Sequence, residues 1–181
     1  MLSSLERKQV KKKASIAEFK AYLKAICEDF DLTLNDYKQN LDDIIYIIKD
    51  QPSFVVRAIK TLKKQCLYEN NTIAINSMVL LYALSVKIPD IFIPHVGTKS
   101  FMKSFLVQLP KQIIYPPDFS WEVLKSKNIS KKASNDRYRI KWCLYLLEYW
   151  AKNFSEYSVF VDNYQSRLNA GTKFPKNAKV E

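Results

Sequence analysis

The chain has 181 residues, of which 48% are hydrophobic and 26% charged, a composition typical of one globular domain and not of a disordered or fibrous protein. Its formal net charge of +11 predicts attraction to phosphate groups of nucleic acids, to acidic lipid headgroups or to acidic peptides. Two glycines, one histidine and three cysteines exclude glycine-rich nucleotide-binding loops and the usual zinc-ligand spacings.

Three predicted helices occupy the first part of the chain, where apolar residues recur every three or four positions. The first covers residues 16–30. The second begins at a cap formed by Asn35 or Asp36 and ends near residue 50, because Pro52 cannot continue it. The third buries a stripe that includes Val55 and Ile59. Its outer face is strongly basic, with Arg57, Lys60, Lys63 and Lys64.

The middle of the chain predicts a central helix over residues 72–86, because this stretch is apolar nearly all round. Pro89 and Pro94 bound a short segment over residues 88–92. Gly97 and Thr98 then open another helix, which extends to residue 109.

Residues 111–135 contain two consecutive prolines and no sustained apolar period, which predicts a long loop attached by Tyr115, Phe119 and Trp121. A deeply packed helix follows over residues 136–154, and Trp142 lies in its apolar set. The last helix covers residues 155–169, with Gly171 as a left-handed C-cap. We therefore predict an all-α fold of roughly seven or eight helices, stacked as a superhelix rather than a four-helix bundle.

The three cysteines, Cys27, Cys66 and Cys143, lie within apolar helical patterns, which predicts buried thiols in a reducing compartment. The first residues lack the apolar core of a secretory signal, and 18 apolar residues never occur in a row. We expect an intracellular protein without a membrane span.

Residues suited to catalysis are few. The carboxylates Glu28, Asp29 and Asp31 lie at a predicted helix end, and His95 has no cysteine or serine at a spacing typical of a nucleophile pair. We therefore expect a binding module without enzymatic activity, cofactor or metal.

Three segments resemble the VHS domain. Residues 58–109 match its basic third helix, apolar central helix and FxxxF/L helix, and residues 140–154 match its seventh helix. Residues 164–175 are similar to its closing Tyr-x-x-x-Leu and Gly-x-x-Phe-Pro pattern. The resemblance implies a right-handed superhelix of eight helices over residues 15–175, used in endosomal and Golgi cargo sorting. A basic segment, residues 1–14, precedes it, and a tail, residues 176–181, follows.

The resemblance implies two alternative cargo sites. Family members that bind ubiquitin use a tryptophan early in the second helix and an aliphatic residue one turn later, and the corresponding positions here are Tyr37 and Leu41. Members that bind acidic sorting peptides use basic residues after a Val-Gly-Lys turn. The corresponding basic residues here are Lys99, Lys103, Lys131 and Lys132.

Membrane attachment is a further expectation. Five basic residues accompany a few apolar ones before the first helix: Arg7, Lys8, Lys11, Lys12 and Lys13. Each contributes about 1 kcal/mol near an anionic bilayer, although a solvated tail explains the same pattern. Related superhelical ENTH and ANTH domains bind phosphoinositides, and the CTD-interacting domain of RNA-processing factors binds a phosphorylated polymerase tail. Direct nucleic-acid binding is disfavoured, because the aromatic residues mostly fall on core faces.

Overall fold

The structure is a computed structural model that describes residues 14–29, 33–109 and 131–175, with the backbone alone for residues 131–136. This part of the chain contains eight α-helices and no β-strand, which confirms the predicted all-α fold. The helices are α1 (Ile16–Glu28), α2 (Leu34–Asp50), α3 (Ser53–Gln65), α4 (Asn71–Lys87), α5 (Pro89–Val96), α6 (Lys99–Leu106), α7 (Lys131–Asn153) and α8 (Ser158–Asn169). None of them is long and apolar enough to cross a bilayer.

Local hydrogen bonds explain where several helices begin and end. Ser15 and Glu18 form a reciprocal capping box at the start of α1. The Thr98 hydroxyl accepts a hydrogen bond from the Phe101 amide at 3.2 Å, which confirms the predicted cap of α6. Gly171 follows α8 with a φ of 79°, and its neighbour Thr172 donates to the Arg167 carbonyl at 2.9 Å. The predicted left-handed C-cap is therefore confirmed.

Two predicted boundaries before α6 were wrong. The cap of α2 is Thr33, whose hydroxyl accepts a hydrogen bond from the Asp36 amide at 3.2 Å, and not Asn35 or Asp36. Pro94 lies inside α5 instead of bounding it, which places His95 in the last helical turn. Pro94 and Asp90 are both exposed, so water can bond the Asp90 carbonyl that the proline leaves without a donor.

Two later helix starts also differ. Helix α7 begins at Lys131, so residues 131–135 are helical and do not belong to the expected loop. Helix α8 begins at Ser158, three residues after the predicted start. The remaining residues of the expected loop, including Tyr115, Phe119 and Trp121, lie outside the described residues.

Helix α4 is the centre of the molecule, as the sequence predicts. It packs against α1, α3, α5 and α7, and its buried residues recur every three or four positions and cover about half of the helix circumference. They are Ala74, Ser77, Met78, Leu80, Leu81, Leu84 and Ser85. Helix α3 contacts α6. Helices α1, α4 and α7 form one set of packed helices and α3 and α6 form another, and in both sets the neighbours are three positions apart in the order of helices.

Trp150 of α7 anchors the second half of the core. Its ring stacks on Phe160 of α8 at 5.4 Å and meets Phe105 of α6 at 5.4 Å. The indole Nε1 donates to the Ser85 hydroxyl of α4 at 2.9 Å. This buried bond satisfies the polar atom of the ring and fixes α7 against α4.

Arg139 of α7 connects three separate parts of the chain. Its Nη2 donates to the Cys66 carbonyl at 2.7 Å and its Nη1 to the Tyr68 carbonyl at 2.9 Å, both just after α3. Its Nε donates to the Gln108 side-chain oxygen at 3.0 Å, just after α6. One guanidinium thus satisfies carbonyls at the end of α3 that have no partner within the helix.

A candidate docking groove between helices α2 and α4

An open groove of about 490 Å³ lies between the start of α2 and the first half of α4, at the end of α1. Its apolar lining residues are Ile26, Leu34, Tyr37 and Val79. Its polar lining residues are Asp29, Thr33, Thr72 and Asn76. Apolar side chains accompanied by hydroxyl, amide and carboxylate groups are typical of protein-docking surfaces. We name this feature the docking groove.

The N-cap of α2 positions an exposed leucine of the docking groove. Thr33 bonds both the amide and the carboxylate of Asp36, with 2.6 Å between the two side-chain oxygens. This cap starts the helix at Leu34, whose side chain is 67% exposed. Tyr37 follows three residues later on the same face of the helix. The first turn therefore presents a leucine and a tyrosine side by side.

Tyr37 is half-buried and packs against the hydrophobic core with part of its ring. Burial is the main cause that raises the pKa of its hydroxyl, and the neighbouring Cys27 adds to the shift. The hydroxyl therefore stays protonated at neutral pH and can donate a hydrogen bond to a partner. A ring fixed at one edge and open at the other can contact a partner with little loss of side-chain entropy.

The opposite wall of the docking groove comes from one face of α4, with Thr72, Asn76 and Val79 on successive turns. The Asn76 amide donates to the Cys27 carbonyl at 3.4 Å and so connects α4 to the end of α1. The wall is therefore part of the packed body of the molecule.

The two residues predicted to bind ubiquitin occupy different environments. Tyr37 lines the docking groove, whereas Leu41 is 8% exposed and lies in the core. The aliphatic residues that line the groove with Tyr37 are Ile26, Leu34 and Val79. Sequence analysis missed Leu34, because a helix that begins at Asn35 or Asp36 excludes it. The spacing of Thr33 and Asp36 resembles a capping box and is the signal that could have included it.

An aromatic face on α4 and α7 continues from the docking groove. Tyr82, three residues after Val79, meets Tyr149 at 4.9 Å and Tyr145 at 5.4 Å between ring centroids. Trp142 extends the row, at 5.6 Å from Tyr145. All four of these aromatic side chains are half-exposed, so the deep burial predicted for Trp142 was wrong. Helix α7 is apolar on most sides, so its periodicity did not distinguish this face.

The four lysines expected to bind an acidic peptide lie on two helices. Lys99 and Lys103 are exposed and one turn apart on α6, which packs against α3, α5 and α8. Lys131 and Lys132 open α7, and their side chains lie outside the described residues. The turn before α6 is tightly packed, since a side-chain carbon added at Gly97 would clash with the ring of Tyr157.

The basic residues expected to attach the chain to membranes, Arg7, Lys8, Lys11, Lys12 and Lys13, lie outside the described residues. Among the described residues, no group of three or more His, Cys, Asp or Glu side chains could hold a metal ion. The predicted burial of the cysteines is confirmed at all three positions.

Burial is the largest cause raising the pKa of each cysteine thiol, to about 11 at Cys27 and well above its ordinary value at Cys143. The Cys66 thiol shifts in the same direction. The thiols therefore remain protonated and unreactive at neutral pH.

Comparison with known families and proteins adds no relative: no family model and no curated protein matches this chain.

Proposed function

We propose that the chain is a non-enzymatic adaptor module of the VHS type that binds ubiquitinated cargo on endosomal or Golgi membranes. The observation that carries the proposal is the docking groove, where the half-buried Tyr37 lies beside the exposed Leu34 and faces an apolar residue of α4. Ubiquitin is recognised through a small hydrophobic patch, and a shallow apolar groove with polar neighbours is complementary to such a patch.

The packing of the helices supports the superhelix that the VHS resemblance implies. Helix α4 packs between α1 and α7, and α3 packs against α6, so three of the pairs of helices that are three positions apart are packed together. Such a recurrence is expected when helices stack in successive layers, because each helix then lies on the one that is three positions earlier.

The proposal predicts that Leu34→Ser combined with Tyr37→Ala weakens ubiquitin binding about tenfold or more, because both changes remove apolar contact area from a small interface. The measurement is a titration of the labelled chain with ubiquitin, followed by NMR. We expect the shifted amides to lie along α2 and α4. The exposed position of Leu34 limits the cost of its change to stability.

Tyr46→Ala is the matched control, since this tyrosine of α2 is 65% exposed and does not line the docking groove. It should leave the affinity for ubiquitin unchanged. Equal weakening by both variants, or amide shifts confined to other helices, would contradict the proposed site.

A CTD-interacting-type peptide-binding function is the second candidate, and the aromatic face of α4 and α7 is the observation that favours it. Half-exposed rings such as Tyr82 and Tyr145 provide flat surfaces on which prolines and tyrosines of an extended peptide can pack. The same NMR titration with a phosphorylated polymerase-tail peptide separates the two candidates. Shifts along α4 and α7 with this peptide, and none with ubiquitin, would favour the second function.

A further inference from the structure

The charge of the docking groove differs in sign from that of the whole molecule. The chain has a net charge of +11, yet among the described residues no lysine or arginine lines the docking groove. Asp29 is the only charged side chain of the described residues that lines it. The other polar lining residues, Thr33, Thr72 and Asn76, are neutral. The described lining of the docking groove therefore carries a negative charge in a basic protein.

The position of Asp29 at the end of α1 adds to this negative charge. Asp29 is the C-cap of α1, and the last turn of this helix contains no basic residue. The carbonyl end of a helix carries about half an elementary negative charge, so it repels a carboxylate and attracts a cation. The acidic C-cap is thus unfavourable for the helix itself. A residue that opposes a local stability rule is expected at a functional site.

Two neighbouring carboxylates, Glu28 and Asp36, have other roles. Glu28 accepts a hydrogen bond from Gln65 Nε2 at 3.2 Å and lines a cavity on the side of α1 that faces α3. Asp36 accepts a hydrogen bond from the Thr33 hydroxyl at 2.6 Å and offsets the positive pole at the start of α2. Asp29 is therefore the carboxylate that a molecule in the docking groove meets.

A cluster of cations occupies a different surface. The cavity between α1 and α3 has a volume of about 450 Å³ and shares no lining residue with the docking groove. Its cationic lining residues are Lys20, Arg57, Lys60 and Lys64. A basic partner surface is repelled at this cavity and attracted at the docking groove, which orients the partner as it approaches.

We propose that Asp29 makes the docking groove selective for apolar protein patches that are bordered by lysine or arginine. This inference rests on the ubiquitin-binding function proposed above and names the chemistry that the partner surface needs. The apolar part of the partner covers Leu34 and Tyr37, while a cation beside it pairs with the Asp29 carboxylate. An apolar patch bordered by acidic residues is rejected, because its carboxylates approach Asp29 without a compensating charge.

Asp29→Asn and Asp29→Lys test the proposal in an NMR titration of the full chain with ubiquitin. At low ionic strength we expect the affinity to decrease about threefold with asparagine and about tenfold with lysine, because an exposed ion pair is first removed and then replaced by repulsion. Both losses should become smaller at high salt. An unchanged affinity of Asp29→Lys at low ionic strength would overturn the proposal while leaving the ubiquitin-binding function in place.

Asp50→Lys is the matched control. Asp50 is an exposed carboxylate at the C-terminal end of α2, about 24 Å along the helix from Leu34. The control therefore makes the same change in charge at the same end of a helix, but beyond the screening length of about 10 Å at 0.1 M salt. It should change the affinity less than about twofold. Equal losses from Asp29→Lys and Asp50→Lys would mean that net charge controls binding, which contradicts the proposal.

Urea denaturation separates selectivity from folding. Because a carboxylate at the carbonyl end of a helix is unfavourable, neither Asp29 variant should unfold at a lower urea concentration than the parent. Weaker binding by a variant that is as stable as the parent does not result from loss of the fold. A lower unfolding midpoint that accompanies the weaker binding would instead assign Asp29 a structural role and overturn the proposal.

A charge exchange identifies the contact on the partner. Ubiquitin variants in which one basic residue beside the hydrophobic patch is changed to glutamate should bind the parent chain more weakly. At least one of them should bind Asp29→Lys more tightly than unmodified ubiquitin does, because the ion pair is restored in the opposite sense. If none of them recovers binding, the proposed pairing is wrong.

A failure of the ubiquitin-binding function gives a different result. In that case ubiquitin does not bind even the parent chain, and two amphipathic helical peptides with the same leucine stripe replace it as probes. One peptide has lysine at the borders of the stripe and the other has glutamate. Shifts of the docking-groove amides with the lysine peptide, weakened by Asp29→Lys, would support the selectivity. Equal shifts with both peptides, or none with either, would overturn it.

Discussion

The Cys27 thiol shows how burial acts on a single residue. Its side chain is fully buried, and burial is the main cause that raises its pKa from 9.0 to about 11. A hydrogen bond with Ser77 opposes this shift and the Glu28 carboxylate adds to it. Because deprotonation would place an uncompensated charge in the core, the folded protein holds the proton more tightly than the unfolded chain does.

We predict that the free energy of unfolding decreases as the pH rises from about 9 to 11. In this range the unfolded chain loses the Cys27 proton at its ordinary pKa, whereas the folded protein keeps it. The contribution is complete below pH 9, and its slope approaches about 1.4 kcal/mol per pH unit for one thiol. Urea denaturation at a series of pH values measures this slope.

Cys27→Ala is the control for the pH dependence, because it removes the titrating group. The slope between pH 9 and 11 should decrease by about the contribution of one thiol, while the slopes due to Cys66 and Cys143 remain. An unchanged slope would show that Cys27 does not titrate as inferred.

At the scale of one element, the start of α2 couples stability to the docking groove. The Thr33 cap bonds the Asp36 amide, and the Thr33 carbonyl accepts the Tyr37 amide at 2.9 Å. If the first turn unwinds, Leu34 and Tyr37 lose their shared face. The accessible part of the groove therefore depends on a cap of one residue.

We predict that Thr33→Ala lowers the free energy of unfolding by about 1 kcal/mol, because it removes the side-chain acceptor of the cap. Amide hydrogen exchange in the first turn of α2 should accelerate, and ubiquitin binding should weaken. Thr33→Ser keeps the hydroxyl and should differ from the parent by a few tenths of a kcal/mol. An alanine variant as stable as the parent would show that the Thr33 side chain does not stabilise the start of α2.

Whether the sequence predicts the end of a helix correctly depends on how close the residues that specify this end lie to it in the chain. Thr98 and Gly171 act within a few residues of their helix ends, and the sequence predicts both correctly. Helix α7 begins five residues before its expected start because residues 131–136 carry no apolar stripe that periodicity could detect.

At the scale of the whole molecule, Arg139 joins segments that are far apart in the chain. It lies 73 residues from Cys66 and 31 residues from Gln108, and it bonds both. We predict that Arg139→Ala lowers the free energy of unfolding by about 2–3 kcal/mol, because charge-assisted bonds are lost and the partly buried acceptors at Cys66 and Gln108 lose their donor. Urea denaturation at pH 7 measures the loss.

Arg139→Lys should recover only part of this stability, since an ammonium group cannot place donors on carbonyls from two directions as the planar guanidinium does. Arg57→Ala is the control, an exposed arginine of α3, and should change stability by less than about 0.5 kcal/mol. Full recovery by lysine would indicate that charge alone, and not the geometry of the donors, accounts for the effect.

The sequence by itself determined that the chain is helical, that α4 is central and that the cysteines are buried. These properties depend on the spacing of apolar residues and on hydrogen bonds that close within about four residues, so neighbours in the chain specify them. The basic face of α3 was predictable for the same reason, since Arg57, Lys60 and Lys64 share a helical face whatever surrounds it.

Only the tertiary structure decided which side chains form sites. It buried Leu41 while leaving Leu34 in the docking groove, left Trp142 half-exposed, and placed the basic face of α3 opposite Lys20. Each result depends on contacts between distant segments, such as the bond between Gln65 and Glu28, which are 37 residues apart. The physical reason is that periodicity specifies the faces of a helix, whereas packing against other helices decides how much of each face remains accessible.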